Sequence, residues 1–203
     1  MKPKISVKYL FTVLSLILDT LVSVVAEKKV LVTVPNIDVL LTDILFMEII
    51  RPAEISYSYK IRPAKNFGVP FIQKYSMVDL IAAKPYHGCS PLTNAHFLSG
   101  KVVLLQRGEC SFVTKTLNAE AAGALAVVIA DNDISNDVSF VDMVDDNTER
   151  EVHIPSMFML GKNGHIIKTT LERLGIQSAK INIPVNATGS PTHIVSQPPW
   201  TLW

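Results

Sequence analysis

The run KVVLLQRGECSFVTKTLNAEAAGALAVVIAD, residues 101–131, sets the fold of this chain. It opens on an apolar run that Arg107-Gly108 ends, the pattern of a strand buried on both faces. Ser111 then offers a side-chain oxygen to cap a helix. Val113, Leu117, Ala121 and Leu125 recur every four residues along it, and Gly123 is placed to end it. ALAVVIAD, residues 124–131, returns as a second buried strand. Residues 101–131 therefore read as a β-α-β unit whose strands pair in parallel through a right-handed crossover.

Downstream, residues 131–151 are polar, acidic and aperiodic, so they read as a long loop. IPSMFML (154–160) reads as a strand and GKNG (161–164) as a β-turn. Ile166, Ile167, Thr170, Leu171 and Leu174 then form the apolar face of a second helix that stops at Gly175. INIPV (181–185) is a last strand. Upstream, KVLVTV (29–34) is short and β-branched, and ISYSYKI (55–61) alternates as a half-buried strand does. Residues 38–50 fit helix or strand, with the C-terminal half leaning to strand. FGVPF (67–71) reads as a turn or edge, because Pro70 cannot donate to a ladder. The order predicts an α/β (mixed α+β) domain: a mixed β-sheet, two helices and one βαβ unit.

The N-terminus reads as a removable segment. Lys2, Lys4 and Lys8 precede an apolar run from Tyr9 to Leu18, and Asp19 interrupts that run well short of the ~20 residues a membrane span needs. Val24 and Ala26 stand at the −3 and −1 positions of a cleavage site. We therefore expect residues 1–26 to be a signal peptide cut before Glu27, and a mature chain without a membrane span. That chain would be secreted, or free in the lumen of the secretory pathway. Losing three Lys and one Asp takes the formal net charge from +1 to −1. With that near-neutral balance and no Lys/Arg-rich run, nucleic acid is excluded as an expected partner. The remaining chain divides into strands joining the domain (27–76), the domain core (77–185) and a polar Pro/Trp tail (186–203).

Cys110 carries the sharpest chemical question. It sits between a glycine-led turn and a helix start with Arg107 and Lys115 nearby, a setting that lowers a thiol pKa and makes a nucleophile. A nucleophile also needs a base, and His87, His96, His153, His165 and His193 are the candidates. An oxidising compartment and an even count of two cysteines favour instead a bridge to Cys89, worth about 3 kcal/mol through loop closure. The chain has no G-x-S-x-G and no H-E-x-x-H, and GKNG lacks the spacing of a phosphate loop. No cofactor or resident metal is expected. DNDISNDVSFVD (131–142) does place oxygen-bearing side chains as a calcium loop does, at Asp131, Asp133, Ser135, Asp137, Ser139 and Asp142. Asn136 stands where such a loop wants glycine, and Asp142 where it wants the longer Glu, so a solvated acidic loop is the plainer reading. Asn186-Ala187-Thr188 is a glycosylation sequon following the last strand, and we expect a glycan on Asn186. Trp200 and Trp203 are costly to leave in water, so the tail is expected to dock on its own domain.

Taken together, residues 100–132 and IPSMFMLGKNG closely resemble the protease-associated domain. The matching positions are Arg107, Gly108, Cys110, Ser111, Phe112, Lys115, Ala119, Gly123, Ala124, Val127, Ile129, Ile154, Pro155 and Gly161, within a span of about 77–175. The resemblance implies a mixed sheet or open barrel flanked by two helices, and a Cys89–Cys110 bridge. It also implies a stand-alone, non-enzymatic protein-interaction module with an unidentified protein partner, or a regulatory subunit that binds a peptidase or its substrates. The family has no catalytic residues to carry over.

Overall fold

The structure is a computed structural model and describes residues 44–185 and 196–201. The expected signal peptide, the strand at 29–34 and Asn186 lie outside these residues. Among the described residues, seven strands close into a barrel: β1 (Leu45–Arg51), β2 (Ser58–Pro63), β3 (Tyr75–Ala82), β4 (Val102–Gln106), β5 (Ala126–Ala130), β6 (Ser156–Met159) and β7 (Ser178–Val185). The order around the barrel is β1-β2-β6-β5-β4-β3-β7. β3, β4, β5 and β6 run in parallel, while β1, β2 and β7 close the ring through antiparallel pairs. Helix α1 (Phe112–Ala121) crosses from β4 to β5, as the β-α-β reading requires, and α2 (Gly161–Leu174) lies between β6 and β7 in sequence.

The alternation along each strand sorts side chains into two cores. Met47, Tyr59, Leu80, Val102, Leu104, Val128, Met157 and Ile181 belong to one cluster to which all seven strands contribute, so it fills the barrel interior. On β4, Val103 and Leu105 point the other way. They join Val127, Ile129 and Phe158 in a second cluster beneath α1 and the acidic loop, where Ala119 and Met143 complete it. Ile167 and Leu171 of α2 add to the interior cluster. Burying a side chain of this size is worth about 1.5–3 kcal/mol, so the paired cores dominate stability.

Several boundaries differ from expectation. β3 is a strand the sequence does not announce, because a register shift between Tyr75 and Val78 and a left-handed Met77 (φ 56°) break its alternation. The strand expected at 55–61 begins only at Ser58. Ile55 is buried in a single 3-10 turn, Ala53–Ile55, and Tyr57 lies outside the ladder. The helix at 112 ends at Ala121, before Leu125. GKNG is not a β-turn but the first turn of α2, which starts at Gly161 directly after Leu160. The last strand reaches back to Ser178.

Candidate functional site

The β4–α1 corner is built as the sequence suggests and closed by the bridge. Gly108 (φ 105°) and Glu109 (φ 67°) turn the chain after β4, and the first of these conformations favours glycine. Ser111 caps α1 by accepting the Thr114 backbone N–H at 3.1 Å. Cys110 is bonded to Cys89, and no described cysteine is free. The thiol reading of Cys110 therefore gives way to the bridge.

Further bonds fasten the 87–89 segment to α1. The fully buried Lys115 donates from Nζ to the His87 carbonyl and lies 3.3 Å from Cys89 Sγ. Asn118 Nδ2 donates to the Gly88 carbonyl at 2.8 Å. Burial pushes the Lys115 amine below its ordinary range, and the Glu109 carboxylate pulls the other way. His87, Cys89 and Glu109 present ligand atoms within 4.8 Å of one another. With the Cys89 sulfur in a disulfide, the set lacks the thiolate that metal binding uses.

The other histidines do not gather around Cys110. His96 rests against Phe97 with ring centroids 4.0 Å apart, and His153 lies 3.2 Å from Glu120 and 3.5 Å from Glu151. His165 is exposed on α2, and His193 lies outside the described residues.

The acidic loop does not converge on a cation site. Asp131, 5% exposed, pairs with Arg107 at 3.0 Å and accepts from Asn136 Nδ2 at 2.7 Å. Asp133 accepts from Ser135, Asp137 pairs with Lys162 at 2.8 Å, and Asp142 pairs with Arg62 at 3.1 Å. The carboxylates in calcium-like spacing are thus directed to different partners. Asp146 accepts from the Ser111 hydroxyl, from Thr148 and from Arg150, and these bonds hold its carboxyl down at about 2.

The tail docks through Trp200, as expected. Its ring meets Tyr57 edge-on with centroids 5.4 Å apart, and its indole N–H donates to Asn163 Oδ1 at 2.9 Å. Trp203 lies outside the described residues. Asn163 and Lys115 were not legible as contact residues: one sits in a stretch that reads as a turn, and the other reads as a charge near Cys110 and a family-matching position, with nothing to show its buried contacts.

The sequence matches the PA domain family over residues 75–167. The chain belongs to this family. A PRADC1-like protein of Drosophila melanogaster is 43% identical over 183 residues, covering 89% of this chain and 93% of its own. An ER degradation-enhancing alpha-mannosidase-like protein 3 of Xenopus laevis is 42% identical over 89 residues, 42% of this chain and 10% of its own length. Signal peptide peptidase-like 2 of Arabidopsis thaliana is 36% identical over 124 residues, 59% of this chain and 22% of its own. Among the described residues, no helix is long and apolar enough to cross a membrane.

Proposed function

We propose that the protein is a secreted, non-enzymatic glycoprotein in which one PA domain acts as a protein-interaction module. The observation that carries this reading is the packed barrel. All seven strands fill its interior with apolar side chains, so recognition belongs to the outer surface. The similarity to the PRADC1-like relative, over 93% of that protein's length, supports reading the PA domain as the functional part of this chain. The Cys89–Cys110 bridge supports an oxidising compartment, and the sequon at Asn186 fits a glycan there.

A second reading is a regulatory or specificity subunit that binds a peptidase or its substrates in trans. The peptidase-like relative that carries this domain within a much longer chain favours it. Affinity capture from secretory-pathway extract, followed by mass spectrometry, separates the two. Reproducible recovery of one peptidase supports the second reading, and recovery of non-peptidase partners supports the first. Peptide hydrolysis by the purified chain would contradict both. Treating the secreted protein with a glycosidase specific for Asn-linked sugars should lower its mass, and Asn186→Gln should abolish that change.

A further inference from the structure

We propose that the surface between Tyr57 and the first turn of α2 is a recognition site for a Pro-Trp turn, occupied here by the chain's own tail. This deepens the interaction-module reading by assigning a ligand chemistry, and it rests on that reading.

The tail is seated as a ligand would be. The Ser58 backbone N–H donates to the Ser196 carbonyl at 2.6 Å. Thr201 N–H donates to the Pro198 carbonyl at 3.3 Å, closing a turn over Pro198, Pro199, Trp200 and Thr201. Pro198 and Thr201 are buried, Pro199 is exposed, and Trp200 is half-buried against Tyr57. The turn thereby aims one aromatic side chain at the domain.

Asn163 sets what that side chain must be. It is 2% exposed with the tail in place, and its Oδ1 accepts the indole N–H. A plain hydrocarbon ring in the same place would leave that buried acceptor unpaired, weakening binding about tenfold or more. The site therefore selects an aromatic group with a donor, and an indole on a proline-led turn fits. Asn163 is also held rigidly. A Cβ on Gly161 would lie 2.0 Å from the Asp133 carbonyl oxygen, and one on Gly164 2.2 Å from the Ala130 Cβ. α2 approaches β5 at Ala130 and the loop after it at Asp133 that closely only because both positions lack a side chain.

Among the described residues, the tail's hold is of a kind another chain can reproduce: a main-chain bond, an indole bond, an aromatic contact and the burial of Pro198 and Thr201. Its advantage is the covalent tether of residues 186–195. A tether of this length gives an effective concentration on the order of millimolar. A foreign Pro-Trp turn must exceed that threshold, so the tail acts as a competitor in cis.

The test uses the full chain and a labelled synthetic peptide, SQPPWTLW, followed by fluorescence anisotropy. Trp200→Ala should vacate the site, and the peptide should bind this variant at least about tenfold more tightly than the unsubstituted chain. A peptide with Phe at the first Trp should bind at least about tenfold more weakly, which tests the Asn163 bond even if Asn163→Ala fails to fold. No peptide binding to a Trp200→Ala chain that unfolds as cooperatively as the parent would overturn the proposal. Equal binding of the Trp and Phe peptides would overturn it too. A concentration-dependent dimer lost on Trp200→Ala would show tail exchange between copies and overturn occupancy in cis. Failure here with a partner still retained in the capture experiment would remove this site alone.

Discussion

Lys115 Nζ lies 3.3 Å from Cys89 Sγ and donates to the His87 carbonyl, so a buried amine ties the bridge to α1. Lys115→Met keeps most of the apolar stem and removes the donor. It should cost about 1–3 kcal/mol, because the His87 carbonyl loses its partner. Chemical denaturation at neutral pH measures this.

The same lysine makes an alkaline prediction. Burial lowers its amine from the ordinary 10.5, so the unfolded chain binds more protons than the folded one in the window below that value. Stability should therefore receive a rising contribution as pH climbs toward 10.5. Lys115→Met should lack it. The stability advantage of the parent over this variant should widen across that window, and a narrowing gap would reverse the sign.

Asp79 makes the opposite, acidic prediction. Burial raises its carboxyl, but bonds from Lys180, Lys101 and Ser178 outweigh that and bring it from 3.8 to about 2. A lowered folded-state value means the stabilisation is present above 3.8 and is lost as pH falls toward 2. After solvent screening it amounts to on the order of 1 kcal/mol. Asp79→Asn should remove that part of the acid slope, read as the difference between two pH-stability curves.

These residues show what the sequence could and could not disclose. The β4-α1-β5 unit was legible because apolar runs, a capping Ser111 and a stopping Gly123 all agree over one short span. The Cys89–Cys110 pair was legible because two cysteines and an expected oxidising compartment both favour a bridge. β3 was not, because Asp79 interrupts its apolar run and finds its compensating lysines on β7 and just before β4. Nor was barrel closure, which depends on β1 and β7 pairing across more than a hundred residues. GKNG was misread because turn-forming glycines serve here as close-packing positions within a helix.

Those glycines give a steric prediction. Gly164→Ala would force a methyl group to within 2.2 Å of the Ala130 Cβ, and Gly161→Ala would collide with the Asp133 backbone. Each should cost about 1–3 kcal/mol or more despite the better helix propensity of alanine. Thermal unfolding of both variants below the parent supports the packing described, and an unchanged midpoint would contradict it.

Cys110 is bonded to Cys89 and fastens the β4–α1 corner, so it is not free to act as a nucleophile. Counting thiols in the purified protein, unfolded without reduction, tests this most directly. The bridge predicts no reactive thiol. Labelling of both Cys89 and Cys110 would contradict it and return Cys110 to candidacy as a nucleophile.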